Sequence, residues 1–119
     1  MLFRSGILLL GEEAGRLASR LELSGYRPLD ESSDLPPRAV ILSPGEEGRI
    51  LELRRRWPAI PLLLGIEADD LAGRVHCLAS GADDFWLCGL SPSDLLTRLR
   101  LHLRGPAAAA GREIGRAHV

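Results

Sequence analysis

The sequence predicts an α/β domain in which five parallel strands form one sheet with helices on both faces. Short apolar runs alternate along the chain with segments of helical spacing, the pattern of strands joined by crossover helices. The runs at residues 6–10, 38–43 and 61–64 are apolar almost throughout, as in strands that are buried on both faces. We therefore expect a doubly wound parallel sheet.

The first half of the chain holds two strands, one helix and an unusually short crossover. Residues 12–23 show apolar residues at helical spacing, and Gly25 follows where a helix C-terminal glycine belongs. Residues 26–29 form a second strand, which Pro28 restricts to a sheet edge. Only residues 30–37 then precede the third strand, so we expect a shortened second helix of at most a turn or two.

The helix after the third strand is predicted over residues 48–57. Ile50, Leu51 and Leu53 are expected to face inward. The three arginines at 54–56 lie near its C-terminus, where positive charge interacts favourably with the helix dipole.

The last two helices are marked by their N-terminal residues. Asp69 or Asp70 caps the first of them, and Gly81 ends it. Its predicted inward face consists of three apolar residues: Leu71, Val75 and Leu78. Residues 84–87 form the fifth strand, and Ser-Pro-Ser-Asp at 91–94 is a strong start for the last helix.

Composition limits the classes of function that fit. At 119 residues the chain is long enough for one domain with a core, and its net charge of −1 gives no case for a nucleic-acid or membrane surface in this segment. No apolar run is long enough to span a membrane. Cys77 and Cys88 lack metal-ligand spacing, which fits a reducing, cytoplasmic environment.

Both ends of the chain read as foreign to the domain. Residues 114–119 can be encoded by ATCGGAAGAGCACACGTC, the start of a common sequencing adapter, and residues 2–5 by CTCTTCCGATCT, the reverse complement of its beginning. We therefore predict that residues 1–5 and 113–119 are translated adapter. The native part would comprise a domain over 6–104 and a Gly/Pro/Ala linker over 105–112.

Two phrases in the last third of the chain carry a family resemblance. Residues 81–85 read Gly-Ala-Asp-Asp-Phe, and residues 91–100 read Ser-Pro-Ser-Asp-Leu-Leu-Thr-Arg-Leu-Arg. Together with Ile-Pro at 60–61, they resemble CheY-like receiver domains of two-component response regulators, closest to those of OmpR-like transcription factors. The resemblance covers roughly residues 6–104 and implies the flavodoxin-like strand order 2-1-3-4-5.

The resemblance also locates the positions of a phosphorylation site. In that family two acids after the first strand hold Mg²⁺, an aspartate ending the third strand accepts the phosphoryl group, and a hydroxyl residue and a lysine follow the fourth and fifth strands. The corresponding positions here are Gly11 and Glu12 (with Glu13 beside them), Ser43, Ile66 and Cys88.

None of these replacements supports the family's chemistry. No aspartate occurs between residues 35 and 68, and the whole chain has no lysine. A serine cannot form an acyl phosphate, and neither Ile66 nor Cys88 replaces its counterpart. The resemblance therefore implies a degenerate receiver, or pseudo-receiver, that is not phosphorylated at the usual position and has no catalytic residues.

Three features leave an alternative open. Glu12 and Glu13 could bind a metal cation weakly, although helix-start acids stabilised by the dipole explain them better. Cys88 could be a redox switch, although a small apolar packing residue is the simpler interpretation. Trp86 could be a ligand platform, although core or interface packing is more usual for a tryptophan on a strand. We expect no cofactor and no metal.

Charged residues on the last two helices and the fifth strand predict a dimer face. In OmpR-like receivers the corresponding positions form ion pairs across a symmetric dimer. The residues are Arg74, Asp84, Asp94, Arg98 and Arg100. The alternative is a solvated surface whose charges pair within one helix, as the four-residue spacing of Asp94 and Arg98 allows.

The predicted function is regulatory rather than enzymatic. We expect a cytoplasmic domain that forms a homodimer or binds a partner, such as a histidine kinase or regulatory protein, and touches DNA only through an output domain outside this sequence. A stand-alone adaptor is the first alternative, and a stop codon soon after residue 112 would identify it. A fragment of a flavodoxin-like or cobalamin-binding enzyme is the second, and a bound chromophore would identify that.

Overall fold

Five parallel strands form one twisted sheet in a computed structural model that describes residues 5–89 and 91–104. The strands are β1 (Gly6–Leu10), β2 (Arg27–Leu29), β3 (Ala39–Leu42), β4 (Leu62–Ile66) and β5 (Asp84–Leu87). Their order is β2-β1-β3-β4-β5, which confirms the predicted fold class. The predicted linker at 105–112 and adapter segment at 113–119 lie outside the described residues, as do residues 1–4 of the N-terminal adapter segment.

Within the described residues, six helical segments connect and cover the strands. They are α1 (Glu12–Gly15), α2 (Ala18–Leu23), a 3₁₀ turn (Glu47–Arg49), α3 (Ile50–Arg56), α4 (Leu71–Ala79) and α5 (93–104). Alternate strand residues point to opposite faces, so the sheet separates two apolar clusters. On one face Leu8, Leu42 and Leu64 pack with α3 and α4. On the other, Ile41 and Leu63 pack with α1, α2 and α5.

The first predicted helix is interrupted at residues 16–17. Gly15 ends α1, and the amide of Leu17 donates to the carbonyl of Ala14 at 3.0 Å, a tighter turn than an α-helix makes. Glycine inside a helix costs about 1 kcal/mol relative to alanine, which favours a break here. The expectation of one continuous helix over 12–23 was therefore wrong.

The crossover between β2 and β3 contains turns but no helix. Asp30 accepts a hydrogen bond from the amide of Ser32 at 2.9 Å, a local turn that competes with helix formation. Pro36 and Pro37 follow and disfavour helical backbone in the residues before them. The shortened second helix expected in this segment is absent.

The predicted inward faces of α3 and α4 differ in outcome. On α3, Ile50 and Leu53 are buried as predicted, whereas Leu51 is 64% exposed. On α4 the three predicted core residues are also exposed, namely Leu71, Val75 and Leu78. The helix contacts the sheet through its small residues: Cys77 is fully buried, and a Cβ on Gly73 would lie 3.4 Å from the Cδ1 atom of Ile66 on β4. Close approach on that side turns the larger apolar side chains to the surface.

Candidate functional site

The carboxyl ends of the strands bring the predicted phosphorylation-site positions to one edge of the sheet. Gly11 follows β1 and Ser43 follows β3, and a Cβ on Gly11 would lie 2.5 Å from the Ser43 Oγ. The amide of Cys88 donates to the carbonyl of Ile66 at 3.0 Å. The structure thus places these four positions at the edge where ligands of doubly wound sheets usually bind.

Both hydrogen-bonding functions of the Ser43 hydroxyl are engaged inside the protein. Its oxygen accepts from the amide of Ala14 at 2.8 Å, and its proton is donated to the carbonyl of Leu10 at 2.8 Å. The residue is only 3% exposed. Ser43 therefore ties the first turn of α1 to the end of β1, and its hydroxyl is not presented to solvent.

Gly11 cannot be replaced by an acid without distortion. Its φ is +90°, a backbone conformation that side chains rarely adopt, and the Ser43 side chain occupies the space of its Cβ. The presence of Ser43 therefore requires a glycine at position 11. Neither position reveals this requirement when it is read alone in the sequence.

The neighbouring acids face a cation of their own helix. Glu12 and Glu13 lie 3.3 and 2.9 Å from the Arg16 guanidinium. These contacts favour the interpretation as helix-start acids. In the part of the chain that the structure describes, no three His, Cys, Asp or Glu residues are placed so as to hold a metal ion.

A tryptophan fills the space beside the fourth strand. The Trp86 indole nitrogen donates to the carbonyl of Leu42 at 3.0 Å, so the ring passes over β4 at Gly65. A Cβ on Gly65 would lie 2.8 Å from Pro44, 2.9 Å from the Cys88 sulfur and 3.0 Å from the Trp86 ring. Trp86 is 3% exposed and belongs to the core. The glycine within an otherwise apolar strand was the sequence signal for this close packing.

The Cys88 thiol is poorly suited to redox chemistry. Burial, together with the negative charges of Glu13 and Glu67, raises its pKa to about 11. Because the thiolate is the reactive form, the thiol is largely unreactive at neutral pH. The environment of Cys88 therefore favours the packing interpretation.

The charged residues of the predicted dimer face form pairs within the chain. Asp84 on β5 accepts from Arg98 at 2.8 Å and contacts the His102 Nε2 at 2.9 Å. Arg98 also donates to Asp94 at 2.8 Å, and its guanidinium carbon lies 4.2 Å from the centroid of the Phe85 ring. This network joins α5 to β5.

The remaining two residues of that face lie toward solvent. Arg74 donates to Asp69 at 2.6 Å, so its charge is also paired locally. Arg100 is exposed and has no ion pair within the described residues. Four of the five charges thus already have partners in the same chain.

Sequence reasoning missed the apolar part of this surface. Leu71, Val75 and Leu78 are 77%, 54% and 67% exposed and form one stripe along α4, here called the α4 stripe. Leu101 on α5 is 58% exposed. Their helical spacing is visible in the sequence. The same spacing is found in a buried helix face and in an exposed stripe, so it does not distinguish the two.

Comparison with solved structures identifies the class of fold. A CheY-like response regulator receiver domain protein from Methanospirillum hungatei has a TM-score of 0.71 at 16% identity, and the match covers 90% of this chain and 99% of that one. The N-terminal domain of the nisin resistance regulator NsrR gives 0.70 at 20%, covering 86% and 100%. NtrX from Brucella abortus gives 0.72 at 18%, covering 97% of this chain and 30% of that one. The chain therefore has the CheY-like receiver fold of response regulators.

One comparison rests on sequence. The chain is 37% identical over 78 residues to the transcriptional regulatory protein RstA of Escherichia coli (strain K12). This match covers 64% of the chain and 32% of that protein. No family model matches. The resemblance to response-regulator receivers is confirmed by these similarities at the level of the receiver domain.

None of the helices within residues 5–89 and 91–104 has the length and apolar character needed to cross a bilayer.

Proposed function

We propose that this chain is a regulatory pseudo-receiver that acts without phosphorylation at the usual position. It would control an attached DNA-binding output domain by pairing with a second copy of itself. The observation that carries the proposal is the Ser43 hydroxyl, which lies at the position predicted for the phosphoacceptor and is hydrogen-bonded to the amide of Ala14 and the carbonyl of Leu10. The similarity to a transcriptional regulatory protein supports the proposal that an output domain is attached.

The chemistry at the strand ends supports the phosphorylation-independent part. Phosphoryl transfer needs groups that offset the charge on the transferring phosphoryl, usually a metal ion and a lysine. The chain has no lysine, Gly11 has no room for an acid, and the nearby acids face Arg16. A regulatory domain of this kind would respond to its own concentration, a partner or a ligand.

The α4 stripe supports pairing of two copies. Exposed apolar side chains in one stripe are often part of a protein interface, and this stripe lies on the helix that carries Arg74 of the predicted dimer face. A symmetric dimer places the same patch of both copies in contact, so the two stripes would bury each other. The paired charges of Arg98 and Asp84 would then exchange partners across the interface.

Phosphorylation can be tested directly. The full chain is incubated with Mg²⁺ and acetyl phosphate, and covalent phosphate is measured by intact-mass spectrometry, with a receiver domain that retains the acceptor aspartate as positive control. We expect no mass increase. We expect none for the Ser43→Asp variant either, because the cationic and hydroxyl partners remain absent. Acid-labile phosphate on the unmodified chain would overturn the proposal.

A further inference from the structure

An open groove separates the segment after β3 from the start of α4. Its volume is about 400 Å³. Pro44, Gly45 and Glu47 line one side, and residues between 65 and 73 line the other together with His76 on α4. A side-chain contact joins the two sides, because the Glu47 carboxylate lies 2.5 Å from the His76 Nε2. The pair therefore connects two segments that are 29 positions apart in the chain.

The Glu47 carboxylate is held in a partly buried position. Its side chain is 28% exposed, and its Oε2 atom is the one that contacts His76. The other oxygen, Oε1, is buried and has no hydrogen-bond partner among the described residues. The hydrogen bond to His76 lowers the pKa of this carboxyl, so the group is ionised at neutral pH. A buried carboxylate oxygen without a partner is costly, so Glu47 depends on His76 to stay in this position.

The other acids that line the groove do not pair with the histidine. They are Glu67 and Asp70. Asp70 caps α4 by accepting from the amide of Gly73 at 2.8 Å. Within the part of the chain that the structure describes, Glu47 alone has a carboxylate within 4.0 Å of the His76 imidazole.

The cations that flank the pair are engaged with other acids. Arg74 on α4 donates to Asp69 at 2.6 Å. Arg49 in the 3₁₀ turn donates to Glu31 at 2.7 Å. An arginine keeps its charge in proteins, whereas histidine is the side chain whose charge changes between about pH 5 and 8. The charge that Glu47 faces is therefore set by one proton on His76.

We propose that Glu47 and His76 form a proton-controlled latch between the segment after β3 and α4. When His76 is protonated, its Nε2 donates a charge-assisted hydrogen bond, and its positive charge offsets the partly buried carboxylate. Neutral histidine can still donate from one nitrogen, but the bond is weaker and the negative charge is no longer compensated. The latch therefore loosens as the pH rises and the histidine loses its proton.

The latch would act on both of the segments that it joins. Release of Glu47 would let the 3₁₀ turn at Glu47–Arg49 move away from α4 and widen the groove. Since α4 also carries the α4 stripe, the same proton would influence the surface proposed for pairing of two copies. The inference goes beyond the proposed function and does not depend on it, because the test uses the monomeric chain and measures neither pairing nor phosphorylation.

A double-mutant cycle measures the strength of the latch at two pH values. The full chain and its Glu47→Gln, His76→Gln and double variants are unfolded with urea at about pH 5.5 and pH 8, at a concentration at which the chain is monomeric. We expect the coupling between the two side chains to change the unfolding equilibrium constant by about fivefold at the lower pH and by less than about twofold at the higher.

A second ion pair of the same 3₁₀ turn is the control. The cycle is repeated with Glu31→Gln and Arg49→Gln, whose carboxylate and guanidinium are types of group that ordinarily keep their charges in this pH range. Its coupling should be the same at both pH values. A coupling between Glu47 and His76 that does not change with pH, or an equal change in the control pair, would overturn the proposal.

Solvent exchange of one amide reports whether the turn opens. The amide of Arg49 donates to the carbonyl of Glu46 at 2.9 Å. Its protection factor from NMR, which corrects for the intrinsic pH dependence of exchange, should be at least about threefold lower at pH 8 than at pH 5.5. His76→Gln retains a donor but not the titration, so its protection factor should stay constant. A constant protection factor in the unmodified chain would contradict the latch.

Discussion

Ser43 has a structural role at the carboxyl edge of the sheet. Its hydroxyl lies between the amide of Ala14 and the carbonyl of Leu10. The Ser43 side chain also fills the space that a Cβ at position 11 would need, so only glycine fits there. The amide of Ala14 belongs to the first turn of α1, where backbone donors lack partners within the helix. No side-chain cap is formed at the N-terminus of α1 by its own N-cap residue. Ser43, which follows β3, provides the capping hydrogen bond instead.

Loss of this hydroxyl should destabilise the domain measurably. Ser43→Ala leaves the buried amide of Ala14 without a partner, so we expect the free energy of unfolding to fall by about 1–3 kcal/mol. Urea unfolding followed by circular dichroism measures this as a lower midpoint with an unchanged slope. Ser19→Ala, at an exposed position on α2, is the control. Equal midpoints for the two variants would show that Ser43 has no capping role.

At the scale of elements, α4, β5 and α5 form one continuous surface. The Arg98 side chain bridges Asp84 on β5 and Asp94 on α5, and the α4 stripe lies exposed beside it. The Arg98–Asp84 pair is partly buried, with side chains 28% and 20% exposed, whereas Asp94 is half-exposed. Exposed charge pairs contribute little to stability, so the Arg98–Asp94 contact is the one that can change partners at small cost when a second copy binds.

Charge reversal at Arg98 tests the dimer. In Arg98→Glu the new carboxylate faces Asp84 and Asp94 in both copies, and like charges in an interface oppose association. We expect the dimer dissociation constant from sedimentation equilibrium to rise by about tenfold or more. Arg20→Glu, which reverses an exposed charge on α2, should leave it unchanged. An unchanged constant in Arg98→Glu would remove this surface as the dimer face.

A second variant separates the apolar contribution from the charged one. Val75→Glu places a charge in the centre of the α4 stripe without touching the Arg98 network. We expect it to weaken the dimer as well, because an unpaired charge would be buried between the two stripes. Val75 is 54% exposed, so the monomer should unfold at nearly the same denaturant concentration. A dimer of full strength would place the stripe outside the interface.

At the scale of the whole molecule, a side-chain pair links the segment after β3 to α4. The Glu47 carboxylate lies 2.5 Å from the His76 Nε2. This hydrogen bond lowers the pKa of Glu47 below its ordinary value of 4.5. A lowered carboxylate pKa stabilises the folded state above the unfolded-state value, and this contribution is lost as the pH falls through the folded-state value.

Stability should therefore depend on pH at the acidic end. We expect the free energy of unfolding to fall below about pH 4.5, as Glu47 takes up a proton and loses its bond to His76. Glu47→Gln should flatten this fall, and Glu22→Gln, at an exposed position on α2, should not. Denaturant titrations between about pH 3 and pH 7 measure it. Identical slopes in all three proteins would contradict the assignment.

The sequence by itself determined the parallel sheet and the absence of lysine, and it predicts the loss of the phosphorylation residues. Uninterrupted apolar runs alternating with helical spacing define parallel buried strands, and the absence of lysine is a property of composition alone. The family phrases at 81–85 and 91–100 supplied the strand order. These features could be predicted because each depends on local pattern or on residue identity.

Only the tertiary structure decided which side of α4 faces the core and which side chains fill the space at the carboxyl ends of the strands. The spacing of the α4 stripe fits burial and exposure equally well. Because α4 packs on the sheet through Gly73 and Cys77, the stripe is exposed. The contacts of Ser43 and Trp86 join residues 29 and 44 positions apart. Such contacts depend on which strands become neighbours, so no local pattern contains them, whereas the apolar strands themselves are specified locally.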